Sequence, residues 1–177
     1  MKNTKKLTTL GLLGALSIIM VTLIHFPLFA AAPFLEYDPA DIPIFISAFL
    51  FGPLAGFALT VAVSIVQGIT VSASGGYIGI VMHILSTGAF VLVAGNIYKR
   101  NKTRKSAAIA LGVGVIVMTL AMTGCNMVLT PIFMNVPRSE VIKLIPPVIL
   151  PFNLVKSGVN AIVTMLVYKH VSNFVHR

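Results

Sequence analysis

The chain has 177 residues, 57% of them apolar and 10% charged, with a mean hydropathy of +0.98, whereas an ordinary soluble domain carries about 25% charged residues. Seventeen charged side chains cannot clothe an 18.9 kDa particle in water, which excludes a soluble globule, a disordered chain and a coiled coil and leaves the bilayer as the expected surroundings. Thirteen Lys and Arg against four acids give +9, but the basic residues fall in short clusters between apolar runs, the pattern of cytoplasmic loops facing anionic lipid and not of a nucleic-acid binder.

Uninterrupted apolar runs predict an all-α integral membrane domain over residues 1–177, with six transmembrane helices at about 7–29, 40–51, 53–72, 77–98, 106–133 and 147–168. The first run follows Lys2, Lys5 and Lys6 and ends on Ala30-Ala31-Ala32, a sequence like a signal-peptide cleavage site. Its 23 residues exceed the roughly 7 to 15 of a signal h-region, so a retained helix is expected. Within it Gly11 and Ala15, continued by Gly14, form a small-x-x-x-small pair that either packs internally or admits a partner helix.

The loop Glu36-Tyr37-Asp38-Pro39-Ala40-Asp41 is the most polar segment. Asp38 as N-cap, Pro39 at N1 and Asp41 at N3 suit the start of a helix, and the carboxylate and the aromatic together suit the mouth of a cavity. The second segment is short: about 12 residues reach some 18 Å of a hydrocarbon core near 30 Å. If it crosses and the N-terminus is cytoplasmic, ten of the thirteen basic residues lie inside, the C-terminus included, so the positive-inside rule favours six crossings with a tight turn at Gly52-Pro53. The outer loops are then 30–39, 73–76 and 134–146.

The third and fourth runs carry Gln67 and His83, and the fifth carries Asn126 beside Thr123, Cys125 and Thr130. Such groups serve either as interhelical glue or as parts of a site. Lys156, about ten residues into the last run, is the sharpest signal, because a lysine there costs roughly 2.5 to 3.5 kcal/mol on insertion scales and is too deep to snorkel comfortably. Asn153 and Asn160, three residues before and four after, place all three on one helical stripe.

Enzyme readings fail on residue count. There is no His-Glu-x-x-His, Ser72-Ala-Ser74-Gly75-Gly76 lacks a nucleophile elbow and a base, and Asp38 and Asp41 are too few for a two-metal site. Cys125 is the sole cysteine, which excludes disulfides and thiolate metal sites. No glycine-rich nucleotide loop is present, so any ATP is hydrolysed by another chain. The residues point to a binder with no metal, no cofactor of its own and no catalytic group.

Tyr37-Asp38-Pro39-Ala40-Asp41-Ile42-Pro43, Phe51-Gly52-Pro53-Leu54-Ala55-Gly56 and Leu150-Pro151-Phe152-Asn153-Leu154-Val155-Lys156 give the chain its likeness to a known family. It resembles the substrate-binding S component of an energy-coupling factor (ECF) vitamin transporter, most of all the riboflavin-specific branch, over nearly its whole length. The pattern departs at Gln67 and near His83, and the 73–76 loop is unusually small and glycine-rich. The resemblance implies a cell-membrane protein that captures riboflavin at the outer face and delivers it by docking onto a transmembrane coupling protein and two ATPases. It implies that Glu36, Tyr37 and Asp38 close the site, that Asn126, Asn153 and Lys156 contact the vitamin, and that Gly11 and Ala15 mark the docking face. Gln67, His83 and Asn160 complete the substrate-binding candidates. The alternatives are an S component for another vitamin or small heterocycle, a stand-alone proton-coupled carrier or channel with His83, Asp41 and Lys156 as relay, and a purely structural subunit.

Overall fold

The computed structural model describes residues 2–29 and 32–175. Along the chain run α1 (Lys2–Leu23), β1 (Phe26–Pro27), β2 (Glu36–Tyr37), α2 (Asp41–Phe51), α3 (Pro53–Ile69), a 3-10 turn (Ala73–Gly75), α4 (Gly76–Arg100), α5 (Arg104–Met134), α6 (Arg138–Leu144), a π turn (Ile145–Ile149) and α7 (Leu150–Val175). The segment Arg138–Asn173 is one apolar helical run, so α6, the π turn and α7 together make the sixth rod. Among the described residues, four runs, Thr4–Leu23, Ala73–Arg100, Arg104–Met134 and Arg138–Asn173, are long and apolar enough to cross a bilayer.

α2 and α3 are shorter, at 11 and 17 residues. Every residue of α2 from Asp41 to Phe49 is buried, and the helix touches α1, α3, α4 and α7. A helix apolar on all sides belongs at the centre of a bundle, and because protein surrounds it, hydrocarbon thickness does not set its length. Phe45 stacks on Phe90 of α4 with ring centroids 3.6 Å apart, Phe49 stacks on Tyr98 at 4.3 Å, and Tyr168 of α7 meets Phe49 edge-on at 5.5 Å. Gly52, at φ 91°, reverses the chain between α2 and α3, with Pro53 opening the second helix. One turn on, the helices come so close at Gly56 that a Cβ there would lie 2.6 Å from that of Ala48.

Several sequence boundaries move. The first helix ends at Leu23 and not at 29: Pro27 forces its predecessor into extended backbone, and Phe26–Pro27 pairs antiparallel with Glu36–Tyr37. Of the Ala30-Ala31-Ala32 motif, Ala30 and Ala31 lie outside the described residues, as does Arg177. Asp38 is not the N-cap of α2: Ala40 is, without a side-chain cap, and Asp41 is the first residue of the helix and not its third. Instead the Asp38 carboxylate accepts the Ala40 N–H at 3.0 Å and tightens the turn before the helix. The third helix stops at Ile69 and not at 72, and the 73–76 loop is a 3-10 turn leading into α4. Likewise 134–146 is mostly helix, since α6 and the start of the π turn occupy it. Lys99 and Arg100 sit in the last turn of α4, where cations complement the helix C-terminus, leaving Asn101–Thr103 as the link to α5.

A second apolar cluster, Ala32, Leu35, Val141, Ile145, Val148, Ile149 and Phe152, fastens the β-hairpin loop to α6 and the π turn. The loop is thereby roofed over one end of the bundle.

Candidate functional site

Under that roof lies a cavity of about 420 Å³, walled by the hairpin loop, the C-terminal end of α3, the 3-10 turn, the start of α4, the end of α5 and the first half of α7. Its apolar wall includes Phe34, Leu35, Ile78, Met82, Met122 and Phe152. Of the sequence candidates, Glu36, Asp38, Gln67, His83, Asn126 and Lys156 line it, brought together from four helices and a loop. Tyr37, Asn153 and Asn160 are not in the lining and work behind it.

Lys156 points inward, its side chain only 12% exposed. Its Nζ donates to Asp38 Oδ2 at 2.6 Å and to the Glu36 carbonyl at 3.3 Å, leaving one N–H unassigned. The price of holding a cation inside the bundle is offset by an ion pair with the loop. Asn160, fully buried one turn further on, donates from Nδ2 to the Asp38 carbonyl at 3.1 Å and to Asp41 Oδ2 at 3.4 Å, and its Oδ1 accepts from the Tyr37 hydroxyl at 3.1 Å. Asn160 is therefore the knot that ties loop, α2 and α7 together. Burial first and the neighbouring Asp38 carboxylate second push the Tyr37 phenol above the ordinary tyrosine value of 10.0, which keeps it a donor to Asn160. Asn153 donates to the Ile149 carbonyl at 2.7 Å at the end of the π turn.

Asp41 is wholly buried and accepts from Thr87 at 2.9 Å while facing His83 Nε2 at 3.1 Å. The other ring nitrogen of His83 lies 2.6 Å from Ser64 Oγ. With both nitrogens engaged, His83 offers the cavity its ring carbons only, and it bridges α2, α3 and α4. Asn126 gives Nδ2 to the Met122 carbonyl and accepts from Thr130, each at 2.8 Å, leaving one amide N–H unassigned. Gln67, 8% exposed, has its Nε2 3.4 Å from Ser72 Oγ, while its Oε1 has no donor among the described residues. A buried acceptor left so costs about 1–3 kcal/mol.

Sequence reasoning missed Ser64, Thr87 and Ser72. A signal existed for the first: Thr60, Ser64 and Gln67 recur at four- and three-residue spacing in an otherwise apolar helix, and all three are buried. Gly11 and Ala15 lie on the exposed face of α1, whereas Gly14 packs on α3, its Cβ position 3.1 Å from Leu59 Cδ1. Among the described residues no cluster of three or more His, Cys, Asp or Glu could hold a metal ion.

The family model described as "ECF transporter, substrate-specific component" matches residues 5–168, most of the chain. The chain belongs to that family. It is similar to the riboflavin transporter RibU of Staphylococcus aureus (strain TCH60), 31% identical over 183 positions that cover 100% of this chain and 95% of the relative. It is also similar to the riboflavin transporter FmnP of Bacillus subtilis (strain 168), 28% identical over 174 positions, covering 94% and 91%. A solved structure described as "Structure and mechanism of the S component of a bacterial ECF transporter" superposes with a TM-score of 0.83 at 29% identity, covering 99% of both chains. This S component is thus a multi-pass membrane transport subunit and not an enzyme, and it works with an ECF energising module.

Proposed function

We propose that this S component binds riboflavin at the outer face of the cell membrane and hands it to a coupling protein driven by two ATPases. The observation that carries the proposal is the cavity: about 420 Å³, within the roughly 300–1,000 Å³ of small-molecule sites, with aromatic and aliphatic walls and unassigned N–H groups on Lys156 and Asn126. A flavin is a flat apolar ring edged with carbonyl and imine acceptors and extended by a hydroxylated chain, and these walls and donors suit it. The names of the two relatives support the same vitamin. The roof formed by Glu36, Tyr37 and Asp38 faces outward, and the lysine-rich ends of the helices face the cytoplasm, with both termini.

Titrating the purified protein with riboflavin tests the ligand: flavin fluorescence is quenched and the melting temperature rises. No flavin in native mass spectra and no response to added riboflavin would sink it. Uptake by proteoliposomes that contain this chain and no ATPase would replace the delivery step by that of a stand-alone carrier.

A further inference from the structure

We infer that the turn joining α4 to α5 is the seat of a phospholipid with an anionic headgroup, its phosphate held by Lys102, Arg104 and Lys105 and its acyl chains laid along the outward face of α5. Five of the seven residues from Lys99 to Lys105 are basic, and all five are exposed. Among the described residues none of them has an ion-pair partner. The acids of the chain stand far off: α4 begins in the cavity wall and runs 25 residues, about 37 Å, before it reaches this turn. Glu36, Asp38 and Asp41 surround the cavity, and Glu140 lies in α6 beneath the roof. Lys6 of α1 adds to the charge at this end, its Nζ 6.0 Å over the Phe51 ring, while Tyr98, the residue before Lys99, stacks on Phe49. Cations so crowded repel one another until an anion from outside the chain joins them.

The shape of the surface says which anion. Thr103 Oγ1 accepts the Ser106 N–H at 3.2 Å and the Thr103 carbonyl accepts that of Ala107 at 2.9 Å, so α5 begins directly at the cations. From Lys105 a stripe of Ile109, Val113, Ile116 and Leu120 runs down α5 at three- and four-residue spacing, exposed throughout. In a bilayer such a stripe meets acyl chains, and its cationic head stands where the headgroups begin. A phospholipid has that outline, charge at one end and hydrocarbon below, whereas a soluble anion or an acidic soluble protein uses only the charge. The candidate docking face is on α1, which packs mainly on α2 and α3, and α5 is left to the lipid.

The full-length protein, purified in detergent, is titrated with phosphatidylglycerol, with phosphatidylcholine of the same acyl chains and with inorganic phosphate, and bound lipid is read by native mass spectrometry. Wild type retains phosphatidylglycerol at least about tenfold better than phosphatidylcholine, and the preference shrinks as salt rises. Replacing Lys102, Arg104 and Lys105 together by Gln abolishes the preference, and Lys105→Gln alone lowers it about fivefold, with the melting temperature in phosphatidylcholine unchanged in both. If the triple variant does not fold, the single one decides. Equal retention of the two lipids by wild type overturns the seat, as does displacement of phosphatidylglycerol by an equal concentration of inorganic phosphate, which marks a site for a free anion. A preference undiminished in the variants also overturns it, and if the triple variant then loses ATP-driven uptake with the energising module, the cations face an acidic protein instead.

Discussion

Asp38 does two jobs with one carboxylate: Oδ1 accepts the Ala40 N–H in the turn before α2, and Oδ2 holds the Lys156 ammonium. Removing either partner of such a pair leaves an uncompensated buried charge, which costs about 3–5 kcal/mol, whereas removing both is far milder. Lys156→Met is therefore expected to lower the unfolding midpoint in detergent, and Asp38→Asn in the same chain to recover most of the loss without recovering flavin binding. A single variant as stable as wild type would show that the pair contributes nothing. Tyr37 carries a pH dependence whose sign is fixed by its shift. Its folded value lies above the ordinary 10.0, so its contribution is complete below about pH 10 and is lost as the pH climbs from there. Tyr37→Phe is expected to flatten the alkaline fall in thermal stability above pH 10, and an unchanged slope would remove the phenol from the loop's support. The sequence singled out Lys156, Asn153 and Asn160 because polar groups in an apolar run need a reason, but it gave their roles unequally. Lys156 lines the cavity, Asn160 ties the loop down, and Asn153 donates to the Ile149 carbonyl one turn earlier in its own helical run. That division depends on which way each side chain faces within one stripe, a matter of a few tens of degrees that spacing alone does not resolve.

At the scale of elements, the α2–α3 hairpin is a part of the bundle with little tolerance. A Cβ on Gly56 meets both the Cβ and the backbone of Ala48, atoms that cannot swing aside. Gly56→Val is expected to destabilise the protein by roughly 1–3 kcal/mol or to abolish its expression as a folded species. A variant that melts with wild type would show that the two helices can part freely. The short second segment was legible as a helix from its composition. Its burial on every side was not, since a 12-residue apolar run reads alike for a central helix and a re-entrant one. The β-hairpin, α6 and the π turn were missed for a common reason. Each is a brief irregular stretch flanked by proline, Pro27 in β1 and Pro146 and Pro147 in the turn, where local pattern says only that a long helix is interrupted.

The whole molecule has one closed end and one free side. Leu35, Val141 and Phe152 seal the loop over the cavity, while α1 touches only α2 and α3 among the helices with substantial contacts and leaves Gly11, Leu12, Ala15, Leu16 and Ile19 exposed. A surface of small residues between larger apolar ones admits the close approach of another helix. Gly11→Trp is expected to retain riboflavin affinity yet lose most ATP-driven uptake when reconstituted with the energising module, and full uptake would move the docking face elsewhere. Composition and hydropathy by themselves determined that this chain lives in a bilayer as a helical bundle, because a chain with so few charges has no other way to satisfy its surface. They also marked the residues too costly to be there without a purpose. Only the tertiary structure decided which of them meet: Asp41 with His83 across 42 positions, Asp38 with Lys156 across 118, Tyr37 with Asn160 across 123. Those pairings arise because packing the bundle removes water from polar groups in its interior, and most of them then pair with whatever the fold has brought within reach.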